Sequence, residues 1–455
     1  MTPTHPRPTP AADPAPAAQH PPAAATAPAT EHPTATQTAS GTQQPSAARI
    51  APVVRRVAVV LAVALVLAGP AAPLLAGPAV AGACASAADF DGDGVDDVVA
   101  GDPFADGGRG AVYVISRDRA APVAVPGLAR GDGLGWSVRL ARVDGDACSD
   151  LVIGAPYADV DGRADAGAVY VVHGGGGRPP ERLTAPEPQQ GAHFGWSLAA
   201  RGGLVAVGAP YEDDGGRPDA GAVYVRRGTN RLTRIGQDSP GVPGNSEPGD
   251  QFGWSLAFGP GNGLVVGVPY ENDDGAGRQA GSGVSDSGAA VFLDDVLASP
   301  LSGTKLDSPA DARGDRYGYA VAYVEGRGYA VGAPGSGYVQ LLDQGRRQVR
   351  RLSQEEGGRA FGFSLAASAD GRLAIGAPYG GGVRVVSWAD PGEERRLPGG
   401  DGLFGWSVAF SGNKLYVGQP DARPYGRVVV AARNAQDPVP VQPPAGVDFG
   451  AAVAG

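Results

Sequence analysis

Along residues 84–455 the apolar positions fall in short runs separated by Gly, Pro and acidic residues, and no helical period extends over any long window. Runs at 151–153, 204–207, 264–266 and 373–375 are each followed by Gly-Ala-Pro or a close variant. A second run then follows, such as Ala168-Val169-Tyr170-Val171 or Ala222-Val223-Tyr224-Val225. β-Branched and aromatic runs bounded by turn residues predict the strands of small antiparallel sheets.

Two short motifs alternate with these strands. The first reads Leu134-Gly135-Trp136-Ser137, Phe194-Gly195-Trp196-Ser197, Phe252-Gly253-Trp254-Ser255, Tyr317-Gly318-Tyr319-Ala320, Phe361-Gly362-Phe363-Ser364, Phe404-Gly405-Trp406-Ser407 and Phe449-Gly450-Ala451-Ala452. The second is Gly-x-Pro at Gly101, Gly154, Gly208, Gly267, Gly332, Gly376 and Gly418. A repeat of this length with four strands per unit is the pattern of a propeller blade. The chain ends with a first motif that lacks a second and begins with a second motif that lacks a first, which predicts one blade built from both termini. The fold class is therefore all-β: a seven-bladed propeller of four-stranded antiparallel blades, closed by pairing of its N- and C-terminal segments.

Composition agrees with this reading. The 455 residues include 73 Gly and 42 Pro, too many helix breakers for a helical protein. There is no Gly-X-Y period, and 42% apolar residues exceeds what a disordered chain of this size carries.

The alternating Phe-Gly and Gly-Ala-Pro motifs resemble FG-GAP repeats, as in the propeller of integrin α subunits and in secreted bacterial relatives. The resemblance covers residues 84–455. It departs from the pattern in the terminal blades, where Asp102 and Gln419 replace the middle residue of Gly-Ala-Pro and Ala451 replaces the aromatic.

Candidate chemistry lies in acidic loops. The segment Asp89-Phe90-Asp91-Gly92-Asp93-Gly94-Val95-Asp96-Asp97 carries carboxylates at positions 1, 3, 5 and 9. That spacing wraps hard oxygen ligands around one Ca²⁺, with Asp89, Asp91, Asp93, Asp97 and the Val95 carbonyl as ligands; a solvated acidic turn is the alternative. The resemblance implies the same, since loops at this position in integrin-type propellers bind Ca²⁺. The loop in blade 2 keeps Asp144, Asp146 and Asp150 but has Arg142 at position 1, leaving metal binding and a salt-bridged loop both open.

A second acidic group follows Gly-Ala-Pro in three blades. It comprises Tyr157 with Asp159 and Asp161, Tyr211 with Asp213 and Asp214, and Tyr270 with Asp273 and Asp274. A blade meander places these residues on the face opposite the calcium loops. Aromatic rings beside carboxylates suit sugars or basic groups, so this arc is the expected ligand face. Two Arg-Gly-Asp tripeptides, at 130–132 and 313–315, fall where the repeat itself supplies Gly-Asp and are read as coincidental.

Residues 84–455 carry 33 Lys+Arg against 45 Asp+Glu, a balance that excludes a nucleic-acid-binding role. Residues 1–52 form a Pro/Ala/Thr-rich leader expected to be disordered. Residues 53–83 read as a signal peptide, with Arg55-Arg56 before an apolar run and Ala79-Val80-Ala81 as the cleavage site. A signal so far into the chain points to a translation start near Val53; a cytoplasmic tail with an uncleaved signal anchor is the competing reading. Export implies a disulfide between the two cysteines, Cys84 and Cys148.

These features predict a secreted, monomeric, calcium-binding propeller that serves as an adhesion or ligand-binding module for an extracellular protein or glycan, with no membrane contact beyond the export signal. No Gly-x-Ser-x-Gly elbow occurs, and His173 and His193 are the only histidines after the signal. The other reading is an extracellular carbohydrate-active enzyme, a polysaccharide lyase or hydrolase, using the acidic loops.

Overall fold

The computed structural model describes residue 84 and residues 86–272, 283–354, 360–390, 392–433, 438–441, 443 and 446–455. The leader and export signal expected at 1–52 and 53–83 lie outside these residues, as do Asp273 and Asp274. No helix among the described residues is long and apolar enough to cross a membrane.

The strands form seven four-stranded antiparallel sheets, and among the described residues helix is confined to one short turn, Ala105–Gly108. Blade 2 shows the plan, with Ser137–Ala141 innermost, then Asp150–Ala155, Ala168–Val172 and Glu181–Leu183 at the rim. The innermost strand of each blade touches that of the next all the way round, so the sheets close into a ring. In blade 1 the innermost strand is the C-terminal Ala452–Ala454, which pairs with Val98–Asp102. Its register, Ala452 opposite Gly101 and Val453 opposite Ala100, matches Ser137 opposite Gly154 and Val138 opposite Ile153 in blade 2. Both termini therefore build one blade, and no inner sheet edge is left open.

The two motifs mark one contact seen from both sides. A Cβ on Gly154 would lie 2.1 Å from the carbonyl oxygen of Gly195 in the next blade. The equivalent approach recurs at Gly101, Gly208, Gly267, Gly332, Gly376 and Gly418. Only Gly lets two backbones come this close. Gly195 itself has φ 98°, which an L side chain disfavours. The preceding aromatic is driven into the blade interface: Phe194, Phe252, Tyr317 and Phe449 are fully buried. Each such ring contributes about 1.5–3 kcal/mol of burial energy.

A third element joins neighbouring blades. The hydroxyls of Ser137, Ser197, Ser255, Ser364 and Ser407 donate to the Gly carbonyl of the following Phe-Gly motif, at 2.6–2.9 Å. Blades 5 and 1, with Ala320 and Ala452 at this position, have no such hydroxyl.

The motif departures have structural causes. Asp102 is buried, and its carboxylate accepts the amides of Val447 (2.7 Å) and Asp448 (3.1 Å), so it ties the C-terminal segment to blade 1. Gln419 is buried too, donating to the Asp401 carbonyl and accepting from Arg427 Nε at 2.6 Å. Cys84 and Cys148 are disulfide-bonded, with Cα atoms 5.0 Å apart, which fastens the start of the described chain to the first loop of blade 2.

Candidate functional site

In each blade the connections between strands 1 and 2 and between strands 3 and 4 emerge at one end. The connections after strands 2 and 4 emerge at the other. The two ends carry different chemistry.

At the first end lies the loop 89–97. Asp89, Asp91 and Asp97 each place a carboxylate oxygen within 4.8 Å of the others, and Asp89 and Asp97 are fully buried. Short side-chain-to-backbone bonds shape the loop: the amides of Gly92 and Gly94 donate to Asp89 at 2.8 and 3.0 Å, and that of Phe90 donates to Asp97 Oδ2 at 2.8 Å. Asp97 Oδ1 is buried without a hydrogen-bond partner. Burial pushes the Asp97 carboxyl above its ordinary value, and the charge of Asp91 adds to this. Asp93 stands apart, its Oδ2 taking Ser116 Oγ (3.1 Å) and Arg117 Nε (2.9 Å). Burial opposes its ionisation, but the Val95 amide, Ser116 and Arg117 outweigh that and hold its carboxyl low. Val95 exposes its side chain at the loop tip.

The corresponding loop of blade 2 packs directly against this one, with the Ser149 amide donating to the Asp89 carbonyl at 2.9 Å. Arg142 does not fill the loop; it donates outward to the Ser86 carbonyl at 2.8 Å. Asp146 accepts the Cys148 amide at 2.9 Å and lies outside the acidic group that Asp144 and Asp150 form. That group is completed by His173, from the connection between strands 3 and 4. The sequence gives no spacing signal for His173, because it is more than twenty residues from Asp150 and joins it only through the sheet.

The opposite end is aromatic. The residues after each Phe-Gly, namely Trp136, Trp196, Trp254, Tyr319, Phe363 and Trp406, precede the innermost strands and so surround the axis. Their ring centroids follow one another at 4.7, 5.0, 5.4, 5.1 and 4.6 Å. Ala451 leaves the seventh place without a ring. The sequence-predicted tyrosines stand on this arc: Tyr157 packs edge-on to Trp136 at 5.3 Å, Tyr211 to Trp196 at 5.3 Å and Tyr270 to Trp254 at 5.4 Å. Burial raises all three phenols, Tyr157 to about 12. His193, which the sequence did not single out, bridges Tyr157 and Tyr211 at 4.9 and 5.0 Å, and burial lowers its pKa.

The neighbouring acids divide into two kinds. Asp159, Asp161 and Asp213 are exposed, with Asp165 and Asp219 beside them in the same loops. The Asp165 amide donates to Asp159 and the Asp219 amide to Asp213, so the two loops share one conformation. Asp214 belongs to the framework instead, pairing with Arg234 at 3.1 Å and accepting from Ser246 Oγ at 2.8 Å. The aspartates of both Arg-Gly-Asp tripeptides are buried. Asp132 accepts the Ala129 amide, and Asp315 accepts the Ala312 amide and Ser308 Oγ. Neither can present its carboxylate to a partner.

Residues 81–115, 134–172 and 180–226 match the FG-GAP repeat family. Among curated proteins the chain is 36% identical over 156 residues to integrin alpha-PS2 of Drosophila melanogaster, covering 31% of this chain and 11% of that protein. It is 32% identical over 174 residues to human integrin alpha-7, covering 35% of this chain and 14% of that protein. The chain thus spans a small fraction of the length of these relatives. Among solved structures it overlays on virginiamycin B lyase from Staphylococcus aureus with a TM-score of 0.48 at 9% identity, covering 68% of this chain and 85% of that one.

Proposed function

Since the chain is an FG-GAP repeat protein whose propeller resembles that of integrin α subunits, we propose that it is an exported, calcium-stabilised module that binds an extracellular glycan or protein. The observation that carries this reading is the aromatic arc around the axis, on which Tyr157, His193 and Tyr211 stand beside the exposed carboxylates Asp159, Asp161 and Asp213. Ring faces and edges pack against the C–H surface of a sugar or the stem of a basic side chain, while carboxylates accept its hydroxyl or ammonium protons. The rigid blades hold these groups in place before the ligand arrives, which limits the ordering cost of binding.

Calcium belongs at the other end. Asp89, Asp91 and Asp97 would hold it, and the Val95 carbonyl could join them; Asp93 would have to leave Ser116 and Arg117 to do so. The buried Asp97 Oδ1 without a partner is the feature that fits a cation. Bound there, the ion supplies charge that offsets the repulsion among the clustered carboxylates. The role is structural, since the loop lies at the end away from the aromatic arc.

The test is titration of the secreted protein with a panel of oligosaccharides and basic peptides. Saturable binding without product, lost in the Tyr211→Ala/Asp213→Ala double variant, supports the module. Retention of full affinity by that variant moves the ligand elsewhere, and turnover of a polysaccharide replaces the module with an enzyme.

A further inference from the structure

We propose that Asp144, Asp150 and His173 form a second metal site, distinct in chemistry from the all-oxygen loop of blade 1 and suited to a borderline divalent ion of the zinc class. His173 follows strand Ala168–Val172, Asp144 lies in the connection between the two inner strands of the same blade, and Asp150 opens the second of those strands. The sheet brings them together at one end. His173 Nδ1 lies 3.1 Å from Asp144 Oδ2 and 3.3 Å from Asp150 Oδ1. His173 is only 6% exposed and Asp150 is fully buried.

The imidazole is aimed at two carboxylates, yet its Nδ1 has no hydrogen-bond partner. The distances are close enough for hydrogen bonds but the alignment is not. They are the separations expected between ligands sharing one ion. With metal–nitrogen and metal–oxygen bonds near 2.0–2.2 Å, ligand atoms at near-tetrahedral angles stand about 3.3–3.6 Å apart, and the two Nδ1 contacts lie at the short edge of that span.

The surroundings orient the ligands as a second shell does. The Val143 amide holds Asp150 Oδ2 at 2.9 Å and the Gly174 amide holds Asp150 Oδ1 at 3.1 Å. The Asp146 amide binds Asp144 Oδ1 at 3.1 Å, while Oδ2 faces the imidazole on one side and accepts from Arg178 Nη1 on the other. The disulfide at Cys148 pins the same loop. One nitrogen among the donors disfavours Ca²⁺, which takes oxygen ligands, and favours Zn²⁺ and its neighbours. Arg178, half-exposed, pairs with Asp144 and opposes a cation by its charge.

The test titrates Zn²⁺ into the chelator-treated, dialysed full chain in saturating Ca²⁺, so the oxygen loop is already filled and does not contribute. One equivalent of Zn²⁺ is expected. His173→Gln should weaken it by about tenfold or more, and Arg178→Gln, which removes the guanidinium that competes for Asp144 Oδ2, should tighten it. Substitution by Co²⁺ should give a visible absorption that His173→Gln abolishes. A folded wild type that binds no Zn²⁺, or one whose affinity is unchanged in His173→Gln, overturns the proposal and leaves a histidine packed between two carboxylates. Because Ca²⁺ is held saturating and ligand binding is not the readout, failure here is distinguishable from failure of the calcium or glycan-binding reading.

Discussion

Ser137 donates its hydroxyl to the carbonyl of Gly195 at 2.7 Å, across the boundary between blades 2 and 3, and the same bond recurs at four other boundaries. Each bond couples the inner strand of one blade to the Phe-Gly turn of the next. A single buried hydrogen bond contributes roughly 0.5–1.5 kcal/mol. Ser137→Ala should therefore lower stability by about 1 kcal/mol. Ala320→Ser, which would offer the missing hydroxyl to the Gly362 carbonyl, should act in the opposite direction. Denaturant unfolding of the three proteins in parallel reads both effects, and equal midpoints would show that the bond contributes nothing.

Close backbone approach makes a stronger demand. Gly154→Ala places a methyl 2.1 Å from the Gly195 carbonyl oxygen and 2.3 Å from Ser137 Oγ. Backbone cannot yield there as a side-chain tip can, so the loss should reach about 3 kcal/mol or more. Gly400→Ala is the control, since nothing lies within 4 Å of its added carbon and its φ is not positive. Expression yield and melting temperature should fall for the first and hold for the second.

At the seam where the termini meet, Asp102→Ala removes the acceptor of two amides. The cost should be about 2 kcal/mol, concentrated in release of the C-terminal strand. Hydrogen exchange at residues 447–454 is the direct measurement. Protection there that matches the wild type would mean the carboxylate does not hold the closure.

Asp448 at the same seam has its carboxyl raised to about 6, by burial first and then by the charges of Asp102 and Asp421. A carboxyl raised on folding favours the protonated folded state. Its contribution is fully present below the ordinary value of 3.8 and is lost as pH rises through about 6. Between pH 5 and 7, melting temperature should therefore fall more steeply for the wild type than for Asp448→Asn. Parallel curves across that window would rule out this titration.

Calcium should stabilise the folded chain by mass action, by about 2.7 kcal/mol when free Ca²⁺ is a hundredfold above Kd. EDTA should lower the melting temperature and Ca²⁺ should restore it. Asp97→Asn should remove most of the response, because it replaces the buried carboxylate with a neutral group. A melting temperature indifferent to both reagents would dismiss the structural ion.

The loop 89–97 was legible in the sequence because its residues are local: each lies within a few positions of the next, and spacing alone decides which can converge. Even so, Asp93 faces Ser116 and Arg117, which approach only through the blade's third strand and hairpin. The tyrosines after Gly-Ala-Pro were legible by their register. Their partners were not, since His193 and the ring after each Phe-Gly come from the preceding connection and meet them only when blades stack. Asp214 looked equivalent to Asp213 from composition, and only the Arg234 and Ser246 contacts separate framework from surface.

Periodicity in the chain by itself determined the seven blades and their closure, because each Phe-Gly and Gly-Ala-Pro pair encodes one backbone approach that only glycine allows. It also determined where acids cluster along a loop. Tertiary structure alone decided which groups from different connections face one another: the histidine between two aspartates, the aromatic rings around the axis, and the burial of both Arg-Gly-Asp carboxylates. The physical reason is range. Turn geometry and strand alternation act over a few residues, whereas the direction and solvation of a side chain depend on elements that meet only when the sheets pack.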